Sequence, residues 1–418
     1  MYIVIPIYSD GFLHPLHKDN RLSLLYVKEL GNDGRMLTFN HMDSLSTDSY
    51  EFLKDEIILT PSKKQLLSVY PFKQVYDMNM LNWWLYNKPM NLDIKVDTID
   101  ILNNRFYNLK QINTIIPIYK HLEYCNKAAE QIEQLWKNKD KINFDDYLLY
   151  NTEAILAYYS VERKGIKVSD DVCDVFDNRV KKHISNNKLY SDYFLNTTTG
   201  RPSNSFGSVN FAAMEPEKRK AILPEYDLLL EYDYDAYHLR IIADLVGYKF
   251  PEGSVHEYLA GWYGVDYKES KAITFKILYG GISDEIAKKV PFFKKVREFI
   301  SLQWKLFNQQ KYVQTYIYNR RIVSSNLEGM NANKVFNYLI QAHETELNIK
   351  TIIELQRYLL DKKTNLVLYG YDSFLFDFSK QDGEHILYNM KKILERNGHP
   401  VKLKQGYNYQ EIKWVIQE

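Results

Sequence analysis

The 418-residue chain is poor in cysteine, proline and glycine, with 2, 12 and 17 of each. Two cysteines, Cys125 and Cys173, give no disulfide framework and no paired spacing for zinc, which fits a reducing cytoplasm. No apolar run approaches the roughly 20 residues that a membrane-spanning helix needs. The opening stretch Tyr2 to Tyr8 is too short for a signal peptide and lacks its basic flank. The expectation is a cytoplasmic protein with no membrane partner. An excess of one charge is missing as well. Lys and Arg number 54 against 53 Asp and Glu, a formal net charge of +1. Any surface for a polyanion must therefore be a local patch, with acidic residues placed elsewhere. No internal repeat or low-complexity linker is present.

What is there is ordinary globular material, 45% hydrophobic and 26% charged, long enough for two or three domains. The 35 tyrosines, alongside plentiful Asn, Lys and Ile, read as the mark of an AT-rich genome rather than of function. Residues 1 to about 110 look like a small α/β unit. Tyr2 to Tyr8 reads as a strand, and Leu22 to Leu30 with Arg35 to Phe39 as a hairpin across Gly31 to Gly34. Glu56 to Leu59 is another strand, Ser62 to Val69 opens a helix, and Tyr76 to Tyr86 reads as an aromatic helix. From about 111 onward the spacing predicts helices over Ile118 to Leu135 and Phe144 to Tyr159. Pro117 suits a first turn, Asn143 an N-cap and Gly165 a C-cap. A further short helix is predicted from Asp170 to Ile184.

The chemistry lies downstream. Leu228, Leu229 and Leu230 lead into Tyr232, an apolar strand that ends in acid at Asp233, with a helix following from Leu239. A carboxylate at the end of a buried strand is costly unless it is solvated, paired or bound to a cation. A second strand, from Leu366, runs into Gly370-Tyr371-Asp372, and another apolar strand follows at Phe374 to Phe376, making a hairpin with an acid at its tip. Two carboxylates at separate strand ends suit a pair of Mg²⁺ ions, which take oxygen ligands and complete their shells from water and phosphates. Between them, Lys271, Phe275 and Tyr279 recur every four residues on one face of a helix that Gly280-Gly281 ends. A cation followed by two aromatics offers a phosphate contact and then a surface on which a base can stack. Upstream, the polar loop Thr197 to Asn204 combines Gly200 with Arg201, a forked donor for phosphate.

In this order the pieces resemble the family A (pol I-type) DNA polymerases, from about Glu153 to the C-terminus. Leu156 to Val168 is similar to the family's approach to the thumb. Asp233-Tyr234 with Leu239-Arg240 is similar to its first catalytic motif, and Lys271, Phe275, Tyr279 and Gly280 to its fingers helix. Asn337 and Gln341 fit the helix after it, and Asp372 the second catalytic carboxylate. The resemblance implies an α+β right-hand fold of palm, fingers and short thumb, with a small N-terminal α/β exonuclease-like domain. It places that domain at 1–110, a helical connector with reduced thumb at 111–196, and palm and fingers at 197–418.

It implies an enzyme that adds dNTPs to the primer 3′-hydroxyl of primer-template DNA. Asp233, Asp372 and the Tyr234 carbonyl would hold two Mg²⁺, for which Mn²⁺ can substitute. Lys271 and His256 would hold the triphosphate, with Lys268 as a further point charge where the family has an arginine at the position of Tyr267. Phe275 would stack on the base and Tyr279 line the insertion site. Arg201, Asn204, Asn337, Gln341 and Arg240 would meet DNA.

Departures from the family carry their own expectations. His238 replaces the glutamate that screens the sugar 2′ position; imidazole can fill that space and bond Tyr279, but it leaves the rejection of ribonucleotides open. Tyr371-Asp372-Ser373 replaces His-Asp-Glu, so an auxiliary carboxylate is lost. Phe275, where the family has Phe or Tyr, implies poor use of dideoxynucleotides; a Phe275→Tyr enzyme with unchanged dideoxy discrimination would refute that. About 34 residues from Gly165 to Thr199 are too few for the family's thumb, implying low processivity or a processivity factor as partner. Tyr76-Asp77 before an apolar helix is similar to the family's exonuclease domain, but the metal-binding Asp-x-Glu is absent. The implied domain is a vestigial scaffold without proofreading, leaving room for a separate exonuclease or helicase. The compact form suggests a bacteriophage replicative enzyme, with a specialised repair polymerase as the other option. Two further readings stay open: a primase or RNA polymerase with relaxed sugar choice, and a catalytically dead accessory protein that binds primer-template.

Overall fold

The computed structural model describes residues 1–10, 13–38, 50–92 and 118–415. Two compact units emerge. The first comprises Met1–Thr197, Pro202–Glu225 and Asn408–Gln410, and the second Thr198–Arg201, Tyr226–Tyr407 and Glu411–Glu418. No helix among the described residues is long and apolar enough to cross a membrane.

The first unit is built on a five-stranded sheet with Tyr2–Tyr8 at its centre. That strand is apolar at nearly every position, as expected where both faces are covered. It pairs antiparallel with Leu22–Glu29, which pairs in turn with Gly34–Thr38. On its other side lie two parallel strands, Ile57–Thr60 and Gln74–Asp77. Val4, Leu25, Val27, Ile58, Leu66 and Val75 form the core against it. Tyr76 and Asp77 therefore belong to a strand, and the aromatic helix begins later, at Met78–Tyr86. The boundary is set by Asp77, whose carboxylate accepts from Met80 N and from Lys63 N, both at 2.8 Å, as an N-cap does. Phe39 and Pro117 lie outside the described residues.

Longer helices span Ile118–Trp136 and Phe144–Glu162, the second capped by Asn143 through Asp145 N at 3.2 Å. Gly165 follows at φ +64°, where a β-carbon would come within 2.9 Å of the Tyr190 ring, so only glycine fits. The helix expected over 170–184 is broken into a turn at Cys173–Val175 and a short helix at Asn178–Lys181. Asp177 is responsible. Its side chain accepts from Arg179 N and Val180 N, so a new helix starts where the old one would have continued.

The second unit carries an antiparallel sheet in the order Asn365–Tyr369, Ser373–Phe378, Leu228–Tyr234, Val401–Gly406, Lys413–Trp414. Its middle strand is buried through Leu229, Leu230 and Tyr232. Five helices, Tyr237–Leu245, Val255–Tyr263, Tyr267–Gly280, Pro291–Gln310 and Ala332–Tyr358, share an apolar core that includes Leu239, Leu259, Leu278, Phe292, Val296 and Ile340. Gly281, at φ +117°, stops the Tyr267–Gly280 helix as the sequence suggested.

Candidate active site

Asp233 lies one residue from the end of the central strand, opposite Ser373 on one side and Lys402 on the other. Asp372 sits in the turn between the two hairpin strands. Backbone pairing joins them, since Tyr234 N donates to the Asp372 carbonyl at 2.9 Å. Strand registry thus brings together two acids far apart in sequence. Both turns hold a non-glycine residue in the left-handed region, Ala236 at φ 52° and Tyr371 at φ 70°. Such backbone costs about 1–3 kcal/mol per residue and persists only where the surroundings impose it. For Tyr371 they are plain. The wholly buried Asn348 donates to its carbonyl at 2.9 Å and to the Tyr369 hydroxyl at 2.8 Å, and accepts from the Tyr237 hydroxyl at 2.8 Å. The Arg201 guanidinium lies over the Tyr371 ring, 4.1 Å from its centroid.

The acids differ in their partners. Asp235 bonds Lys402 at 2.6 Å and Arg240 at 3.0 Å. Burial works against its charge, but these bonds outweigh it and hold its carboxyl below the usual range. Asp233 shares the Lys404 ammonium with Glu231, at 2.9 and 2.7 Å. Burial also opposes the Lys404 charge, and the two carboxylates overcome it and raise its pKa. Asp372 makes no ion pair among the described residues. Burial within the cleft, then the neighbouring charge of Asp233, push its carboxyl above the usual range. Its side chain remains open to solvent, so water in the cleft softens both effects. Among the described residues no group of three or more His, Cys, Asp or Glu side chains is disposed to hold a metal. The Asp233–Asp372 oxygens would fit Mg²⁺ with phosphate oxygens completing the shell.

The Tyr267–Gly280 helix starts on an Asp266 cap, which accepts from Glu269 N at 2.8 Å. It buries Ser270, Thr274 and Leu278, and this four-residue spacing turns Lys271, Phe275 and Tyr279 to the cleft. The Phe275 and Tyr279 rings are parallel within 7°, their centroids 6.1 Å apart. His256, on the preceding helix, is buried beside Phe275, and its backbone carbonyl accepts from the Ser270 hydroxyl at 2.8 Å. Burial, then the charge of Lys271, lower its pKa. Its Nδ1 has no hydrogen-bond partner, so the ring keeps one polar atom for a ligand.

His238 Nδ1 lies 2.8 Å from the Tyr279 hydroxyl, the bond anticipated from sequence, and its Nε2 lies 2.8 Å from Glu344 Oε2. Glu344 and Asn348 were not anticipated. The signal that could have found them is spacing, because Asn337, Gln341, Glu344 and Asn348 continue one face of the Ala332–Tyr358 helix in steps of four, three and four. Gln341 in turn accepts from the Thr199 hydroxyl at 3.4 Å.

One cleft of about 570 Å³ gathers this set, within the range of small-molecule sites. It is lined by Asp233, Tyr234, Asp372, Lys271, His256, Phe275, Tyr279, His238, Arg201, Asn337 and Gln341, all expected from sequence, and also by Tyr267, Lys402, Glu344 and Trp414. The other expected residues lie elsewhere. Lys268 is exposed at the start of its helix and does not line the cleft, whereas its neighbour Tyr267 does. Arg240 spends its guanidinium on Asp235 and on the Gly253 carbonyl at 3.1 Å, beside a separate cleft. Asn204 belongs to the first unit and lines a cavity there. The Tyr234 ring is core, stacked on Tyr237 with its hydroxyl on the Leu394 carbonyl at 2.7 Å, so only its backbone can serve a ligand.

No family model and no curated protein matches the sequence. Among solved structures, the polymerase domain of Pol1 from M. smegmatis, in complex with a DNA primer-template and a dNTP, superposes over 98% of this chain and 95% of its own. The TM-score is 0.69 at 13% sequence identity. The fold is that of a DNA polymerase domain. With it, the α+β right-hand architecture expected from sequence stands, and the cleft lies in the compact unit that contains both acidic strand ends.

Proposed function

We propose that the chain is a template-directed DNA polymerase of the family A type, which extends a primer 3′-hydroxyl with dNTPs and releases pyrophosphate. The observation that carries this reading is convergence. Asp233, His256, Asp372 and the trio Lys271, Phe275 and Tyr279 come from four separate stretches and line a single cleft, within a polymerase fold whose neighbour holds primer-template and dNTP. Asp233 and Asp372, with the Tyr234 carbonyl, would hold Mg²⁺. When bound, the metal activates the attacking oxygen and stabilises the leaving one.

The chain's own residues bind and orient. Lys271 offers a charge to the triphosphate, and the unpartnered His256 Nδ1 a hydrogen bond. Phe275 offers a face to the base. Arg201, Asn337 and Gln341 line the same cleft as donors and acceptors for primer and template. A compact bacteriophage replicative enzyme without proofreading is part of the proposal. The absence of proofreading is supported by Asp77, the acid that resembles an exonuclease ligand, which is committed to capping a helix.

His238 at the sugar position favours a second reading, a polymerase with relaxed sugar choice. Extension of a labelled primer-template with Mg²⁺ and either dNTPs or rNTPs, beside an Asp233→Asn control, tests both. Extension by dNTPs that vanishes in the control supports the first reading. Equal use of rNTPs favours the second, and no extension with either removes both.

A further inference from the structure

Glu344 is a buried carboxylate in the cleft with no place in the roles above. It is 1% exposed; Oε2 meets His238, and Oε1 has no hydrogen-bond partner. Arg201 Nε approaches Oε2 only to 3.8 Å. We propose that Glu344 is a positioning residue for sugar selection: through His238 it fixes Tyr279 as an unyielding wall against the sugar of the incoming nucleotide. This rests on the polymerase reading.

The direction of the hydrogen bonds follows from the groups. A carboxylate only accepts, so His238 Nε2 must carry the proton it shares with Glu344. With the imidazole neutral, Nδ1 is bare, and across 2.8 Å the Tyr279 hydroxyl donates to it. The chain runs one way, from Tyr279 to His238 to Glu344, and ends on a buried anchor. The hydroxyl proton of Tyr279 is then directed at His238, and neither ring can turn without breaking a bond of 2.8 Å.

Position supplies the substrate part. His238 is the second residue of the helix that follows the strand end carrying Asp233, and Tyr279 follows Phe275 by four residues, a rise of about 6 Å. The pair lines the same cleft as the two carboxylates proposed to serve the reacting phosphate, and Tyr279 lies beside Phe275, the ring proposed to face the base. What joins phosphate to base in a nucleotide is its sugar. Ribose differs there by one hydroxyl, and excluding so small a group requires a wall that does not move aside.

The test measures incorporation efficiency for a matched dNTP and rNTP by the wild type, Glu344→Leu and Glu344→Gln. The tautomer of His238 is read in parallel by ¹⁵N NMR. Loss of the acceptor in Glu344→Leu should reduce dNTP-over-rNTP preference about tenfold or more, mainly through faster rNTP use. Glu344→Gln, whose amide oxygen can still accept from Nε2, should retain the preference. In the wild type the proton should reside on Nε2, with Nδ1 bare. A merely structural role would slow both nucleotides together and leave their ratio unmoved. An unchanged ratio in folded Glu344→Leu, or a wild-type His238 protonated on Nδ1, overturns the inference alone. The NMR arm decides it even if the leucine variant does not fold. No extension by the wild type overturns the polymerase reading, and this inference with it.

Discussion

Asn348 is wholly buried, yet its amide holds three groups around the Asp372 turn: the Tyr371 carbonyl and the hydroxyls of Tyr369 and Tyr237. Tyr371 is left-handed, and its backbone would relax if that grip were released. Asn348→Ala leaves polar groups unpaired in the interior at about 1–3 kcal/mol for each that water cannot reach. We expect the variant to lose about 2–4 kcal/mol in urea unfolding. Nucleotide incorporation should fall further than the remaining folded fraction explains, because Asp372 is displaced with its turn. A variant as stable as wild type, or one whose activity simply follows its folded fraction, would contradict this account of the turn.

Elements set which acids are tuned and how. Glu162 ends the Phe144–Glu162 helix of the first unit, 2% exposed, and accepts from Lys64 Nζ and Tyr193 N, both at 2.6 Å. Burial pushes its carboxyl from the ordinary 4.5 up to about 7, with Lys64 opposing and Asp192 assisting. A raised acid binds its proton more tightly folded than unfolded. Its contribution to stability is therefore full below about pH 4.5 and lost as pH rises through about 7. Glu162→Gln removes that titration. Compared with wild type, the urea midpoint of Glu162→Gln should improve steadily from pH 5 to pH 8; a difference independent of pH would count against the assignment.

Elements also show what could be read in advance. The Tyr2–Tyr8 strand, the Asn143 cap, the left-handed turn at Gly165 two residues past the Arg163 C-cap and both acidic strand ends were legible, because each is written in local periodicity or turn chemistry. The broken helix over 170–184 was not, because the competing Asp177 cap sits inside an acceptable helical pattern. Most of the cleft could be named from residue order. Glu344, Asn348, Lys402 and Lys404 could not, since each acts on a partner remote in sequence that only strand pairing or helix packing brings near. Asn204 and Arg240 show the limit of residue type: it suits DNA, but packing places Asn204 at a cavity of the first unit and pairs Arg240 with Asp235, away from the cleft.

For the whole molecule, the proposal is a polymerase with little to hold duplex. Between Gly165 and Thr199 the structure has only two-residue strands, a short turn and the four-residue helix Asn178–Lys181. A region of this size offers few phosphate contacts, and affinity for DNA depends on their number. Primer extension challenged with excess competitor DNA should stop after short additions unless a processivity factor is supplied; long products under the trap would contradict this. The central claim, that Asp233 and Asp372 form the reaction centre of a polymerase, is tested most directly by single-turnover incorporation of one matched dNTP with Mg²⁺. Wild type, Asp233→Asn and Asp372→Asn should be compared, with primer-template affinity measured alongside. The account predicts that both variants bind DNA within a few-fold of wild type and lose at least about 10²–10³-fold in incorporation rate. A variant that binds DNA and incorporates at the wild-type rate would contradict it.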